Sequence, residues 1–184
     1  MDTRCSCRRP VGPMLVLLAI LTLPSSLASQ DVATTTVEYP AGFDEEAELY
    51  PKALGPFTRP ITTDAPRAQS FFDQGVQLMY SFSPLKAARS FRQAQVEDPN
   101  CAMCFWGEAW AWGPYLNGGM GPDDAPRAHE NIKRAEKLAG KYANDAERAL
   151  IEAMAVRYAQ AQDDASRKAM DSTYANAMRE VYHR

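Results

Sequence analysis

Histidine is almost missing from this chain. Its 184 residues hold two, His129 and His183, so no Ser-His-Asp arrangement can be assembled, and a zinc site, which wants about four ligands, finds few nitrogens to use. An excess of one charge is missing as well. With 20 Lys and Arg against 23 Asp and Glu, the formal charge is −3, and nothing in that balance calls for nucleic acid. Long apolar runs are scarce. The only one, "MLVLLAILTL" from Met14 to Leu23, has about ten residues where a spanning helix needs roughly 20. No segment alternates with the period of two that marks a half-buried strand. The glycine-rich "NGGMGPDD" (Asn117–Asp124) lacks the Lys-Ser/Thr of a phosphate loop and follows no strand.

The short apolar run reads as a signal peptide. Arg4, Arg8 and Arg9 precede it, Pro24 ends it, and the small residues Ser26 and Ala28 follow two apart, the pattern a signal peptidase reads. Cleavage is expected after Ala28, making residues 1–28 a leader. Its loss takes Arg4, Arg8, Arg9 and Asp2 with it and moves the formal charge from −3 to −5. Cys5 and Cys7 also go, leaving Cys101 and Cys104. The mature protein is expected in the periplasm or outside the cell, without a membrane span. Such a compartment is oxidising and lets a close cysteine pair form a disulfide.

Residues 29–64 show no helical period and carry Pro40, Pro51, Pro56 and Pro60. They read as an extended lead-in, partly disordered, lying against the first helices, with "DEEAEL" (Asp44–Leu49) as one short turn. From Thr63 onward the pattern is helical. Thr63 or Asp64 offers a cap and Pro66 suits a first turn. Phe71, Phe72, Val76, Leu78, Met79 and Tyr80 form an apolar face. After Ser83-Pro84 a second helix turns Leu85, Ala88, Phe91 and Ala94 inward. Helices separated by breaks at 113–126 and at Asn144-Asp145 follow.

Helical hairpins in series call for a repeat test. The tetratricopeptide repeat combines an aromatic, a small residue and a third packing residue in helix A with Ala, an aromatic and Ala in helix B, then Pro. Phe71, Gly75 and Leu78 hold the first set, Ala87, Phe91 and Ala94 the second, and Pro99 closes. Gln74 departs from the signature, which has Leu there. Phe105, Ala109 and Trp112 begin a second unit, and Ala128, Ile132 and Ala135 complete it after a turn lengthened by "GPYLNGGMGPDDAP". Ile151, Met154, Ala155 and Tyr158 with Met170, Tyr174 and Ala177 make a weaker third. The expected fold is all-α, an α-solenoid of about three tetratricopeptide-like hairpins at about 65–99, 101–142 and 145–184, all in a domain spanning 65–184.

The stretch from "PITTDAPRAQSFFDQG" through "EDPNCAMCFWGEAWAWGPYLN" resembles a group of exported bacterial tetratricopeptide-repeat proteins that share Asp-Pro-x-Cys-Ala-Met-Cys followed by Trp-Gly. The resemblance covers about Leu54 to Tyr158 and implies an α-solenoid with no established enzymatic activity. Members of the group often have Asn-His where this chain has Ser83-Pro84. The resemblance also implies more repeats beyond the final "AMREVYHR", since no polar capping helix closes the array.

Cys101 and Cys104 form a C-x-x-C pair at the start of a helix that Asn100 can cap. A thiol there feels the positive end of the helix dipole, which favours thiolate. Thioredoxin-type sites follow a strand, however, and residue 105 is Phe rather than the His of a c-type haem site. The pair is read as a structural disulfide, with a metal or thiol-redox site as the alternative; no other cofactor is implied. Trp106 and Trp110 share a helix face, while Trp112 takes a packing position. Helix A of such hairpins lines the concave groove, which projects Gln69, Phe72, Val76, Met79, Met103, Trp106 and Trp110 onto one surface. Either a partner or other parts of the same chain would cover so apolar a set. "RAHENIKRAEK" and the acids Glu147, Glu152, Asp163 and Asp164 read as solvated faces. The leading reading is a non-catalytic module binding a protein or peptide through Phe72, Val76, Met79, Met103, Trp106 and Trp110. The alternative centres on Cys101 and Cys104. A third reading places an enzyme beyond residue 184.

Overall fold

The computed structural model describes residues 37–50, 52, 54–158 and 164–183; the expected leader, with Cys5 and Cys7, and Asp163 lie outside them. The described residues form six helices and no strand: α1 (Pro66–Tyr80), α2 (Pro84–Glu97), α3 (Ala102–Trp112), α4 (Asp124–Tyr142), α5 (Asp145–Arg157) and α6 (Asp164–His183). Each packs against the next, and α1 also meets α3 as α3 meets α5. The odd-numbered helices therefore share one side. Among the described residues no helix is long and apolar enough to cross a membrane.

The helix ends show how local chemistry sets the chain's path. Proline opens α1 and α2 from the first turn, where its missing N–H is no loss. Neither Thr63 nor Asp64 caps α1. Ala65 holds that position without a side-chain bond, while the Thr63 hydroxyl donates to Asp98, 2.5 Å away, tying the start of α1 to the end of α2. At α3 the cap is the Cys101 sulfur, which accepts from the Cys104 N–H, not Asn100. Asn144 and Glu147 form a reciprocal capping box at α5. Glu147 is thus buried rather than solvated, and it also accepts from the Thr62 N–H at 2.6 Å. Leu85, expected inside, is half exposed; Ala87 and Ala88 take the inward positions of α2. The short turn of the lead-in falls at residues 41–44 rather than at Asp44–Leu49.

The core is continuous from the lead-in to α5. Phe91 of α2 is its wedge, tilted against Phe72 with ring centroids 5.5 Å apart and flanked by two glycines. A Cβ on Gly75 would stand 2.6 Å from the Phe91 ring, and one on Gly107 2.4 Å. The ring thus fills the space that α1 and α3 vacate by carrying glycine. Gln74, the departure from the repeat signature, is fully engaged. Its amide N–H groups donate to the Glu48 carbonyl and the Ser90 hydroxyl, each at 2.8 Å, and its oxygen accepts from the Tyr50 N–H at 2.7 Å. A leucine there could not hold the lead-in.

The wedge yields a signed expectation. Alanine normally favours a helix over glycine by about 1 kcal/mol, but at Gly107 overpacking against a buried ring wins. Gly107→Ala should lower unfolding free energy in urea by ~1–3 kcal/mol, and Phe91→Leu in the same chain should recover part of that loss. A more stable Gly107→Ala chain would refute the wedge.

Candidate functional site

Among the described residues, three places concentrate chemistry. The first is an apolar cleft on the side shared by α1, α3 and α5. It encloses about 380 Å³, and each of the three helices contributes two residues one turn apart: Val76 and Tyr80, Trp106 and Trp110, Leu150 and Met154. Tyr174 and Met178 of α6 and Phe57 and Arg59 of the lead-in complete its walls. This volume lies in the range of small-ligand and side-chain pockets.

Of the residues projected onto the groove, Val76, Trp106 and Trp110 line the cleft. Phe72 and Met103 do not. Both are fully buried in the core, because α1 and α3 pack closely enough, with Phe91 between them, to turn those positions inward. Met79 is partly buried against the core, outside the cleft wall. Gln69 is spent on the lead-in, where it bonds the Ile61 N–H and the Arg59 carbonyl. The two cleft tryptophans differ. Trp106 is 7 % exposed, and its indole N–H donates to the Leu150 carbonyl at 3.2 Å, joining α3 to α5. Trp110 is partly exposed, with its ring centroid 5.6 Å from that of Trp106 and 6.0 Å from that of Tyr80. Tyr80 is 76 % exposed at the rim. The contributions of Leu150, Tyr174 and Met178 were missed because they lie in the weakest repeat, where the helix register is hardest to project. Those of Phe57 and Arg59 were missed because an aperiodic lead-in has no face to assign.

The second place is Cys101 and Cys104. They are joined by a disulfide within the first turn of α3, and both residues are fully buried. Thiol exchange needs a nucleophile to reach a sulfur, and here no sulfur is presented to it. Among the described residues no group of three or more His, Cys, Asp or Glu is placed to hold a metal ion.

The third place is a buried charge on the opposite flank of α3. Glu108 has no solvent exposure. It takes a bidentate pair from Arg92, at 2.8 and 2.7 Å. It also accepts from the Gln95 amide at 2.6 Å, the Asn131 amide at 3.0 Å and the Trp112 indole at 3.1 Å. Five donors on two oxygens leave no lone pair free for a substrate proton. The cluster also corrects the exposed reading of α4, since Asn131 and Arg127 are buried there. Arg92 extends outward to Asp44 at 2.8 Å and lies 4.3 Å from the ring centroid of Tyr39 and 4.9 Å from that of Phe43. These lead-in rings stack on each other and reach Trp112. Glu108 was legible only as a lone acid within "AMCFWGEAWAW", a helix otherwise without charge.

Two outcomes follow from this geometry. Trp106→Ala should lower unfolding free energy by ~3–5 kcal/mol, as expected for a buried aromatic, whereas Trp110→Ala should cost about 1 kcal/mol; denaturation with far-ultraviolet circular dichroism separates them, and equal losses would refute the distinction. Burial, and next the charge of Glu108, push the Tyr39 phenol up from 10.0 to about 12. The folded chain therefore keeps a proton that the unfolded chain releases, so this contribution is complete below pH 10 and is lost as pH rises toward 12. Tyr39→Phe should make the fall in stability over that alkaline window shallower, and an unchanged slope would count against the assignment.

No family model, curated protein or solved structure matches this chain.

Proposed function

We propose that the chain is an exported tetratricopeptide-like repeat module that captures a protein or peptide by seating an apolar side chain in the α1–α3–α5 cleft, without catalysis. One observation carries the reading. Successive odd-numbered helices each place a pair of large side chains, Val76/Tyr80, Trp106/Trp110 and Leu150/Met154, on one concavity. This is how repeated hairpins build a continuous binding surface. Trp, Tyr and Met are the side chains that most often anchor partners. The other two chemical concentrations support the same reading. The Cys101–Cys104 disulfide favours a staple at the hairpin junction over a redox or metal centre, and it accords with the oxidising compartment that the leader pattern implies. The saturated Glu108 carboxylate serves packing.

The test begins with a partner recovered from the exported fraction by the immobilised chain and then purified. Binding of that purified partner should perturb tryptophan emission, and Trp110→Ala should weaken it at least tenfold with helical circular dichroism unchanged. Equal affinity for the Trp110→Ala chain would remove the cleft from the interaction.

A further inference from the structure

The cleft has a polarity as well as a shape. Among the described residues its polar side-chain groups are the Arg59 guanidinium, the Tyr80 and Tyr174 hydroxyls and the two indoles, and no described carboxylate lines it. One indole is already spent, since Trp106 donates to Leu150. Every group that remains can donate a hydrogen bond, and one carries a permanent positive charge. The carboxylate nearest to Arg59 in the chain's hydrogen bonding is Asp73, and it is occupied. It accepts from the Thr58 hydroxyl at 2.7 Å, the Arg59 backbone N–H at 2.9 Å and the Gln69 amide at 2.9 Å. These bonds fix the Arg59 backbone at the rim without using its side chain, and among the described residues the Arg59 guanidinium makes no ion pair. Five other arginines, Arg67, Arg92, Arg127, Arg148 and Arg157, meet a carboxylate; Arg89, Arg167 and Arg179 bond neutral oxygens and Arg134 lies over the Phe105 ring, so among these Arg59 is the one that lines the cleft.

From this we infer that the occupant of the cleft is a peptide segment that sets an Asp or Glu side chain within a residue or two of a bulky apolar one, the apolar group between Trp106, Trp110 and Met154 and the carboxylate on Arg59. The inference rests on the peptide-capture reading above and adds its charge requirement. A charge-assisted bond between guanidinium and carboxylate is directional and bidentate, so Arg59 selects among apolar segments rather than merely adding affinity.

The experiment pans the folded chain against a random heptapeptide library displayed with both ends joined to the carrier, so that no terminal carboxylate is free. The Arg59→Gln and Trp110→Ala chains are panned in parallel. Enriched clones should pair Phe, Leu, Met or Trp with a nearby Asp or Glu. Arg59→Gln should keep the apolar preference and lose the acidic one, and a synthetic copy of the leading clone should bind that variant at least tenfold more weakly. Apolar clones without acids, or acidic clones retained by Arg59→Gln, would overturn the role of Arg59 and leave peptide capture standing. No enrichment above that of Trp110→Ala would overturn both. Titration with decanoate forms a second arm: saturable quenching of tryptophan emission by this free acid, with no peptide enrichment, would place a small carboxylic acid in the cleft and overturn the peptide assignment.

Discussion

A single buried charge organises this molecule. Glu108 sits on a helix that is otherwise apolar, and an unpaired carboxylate in that position would oppose folding by several kcal/mol. The chain answers with donors from three other places: Arg92 and Gln95 on α2, Asn131 on α4 and Trp112 one turn along α3. Only one arrangement of α2, α3 and α4 brings all of them to the same two oxygens. Apolar packing alone would tolerate small rotations among these helices, whereas a carboxylate with five fixed donors does not. The same Arg92 then reaches Asp44, Tyr39 and Phe43, so the order imposed inside the hairpins extends to the segment that precedes them.

That extension explains how the described residues of a proline-rich stretch with no periodicity are held against the helices. The lead-in is held by side chains borrowed from the helices: Gln74 takes Tyr50 and Glu48, Asp73 takes Thr58 and Arg59, and Glu147 takes Thr62. Tyr39 and Phe43 in it pack on Trp112. Much of the polar chemistry on α1 serves to fasten this strap, whose later residues, Phe57 and Arg59, form part of the cleft wall.

The helical pattern was legible wherever apolar spacing was strong. The breaks near Pro84, Pro99 and Asn144 and the burial of Phe71, Phe91, Ala109 and Ile132 could be read directly from the chain. The cleft was legible in part. Val76, Trp106 and Trp110 could be placed from helix register, but Phe72 and Met103 lie one turn earlier on the same helix faces, and register alone does not tell a groove position from a core position when both are apolar. The polar interior was hidden. Glu147 and Asn131 resemble solvated residues, and their burial depends on partners 85 and 23 residues away, Thr62 and Glu108, which no local pattern records.

Phe91 has a consequence outside the core it fills. Its ring is the spacer between the backbones of α1 and α3, admitted by glycine on both sides. Those two helices carry Val76 and Tyr80 on one wall of the cleft and Trp106 and Trp110 on another. The width of the opening is therefore gauged from behind, by the thickness of one aromatic ring that is not among the residues lining it. Gly75, Phe91 and Gly107 consequently form a single dimension of the protein, and a change at any one of them would alter the width of the cleft without altering a residue that lines it.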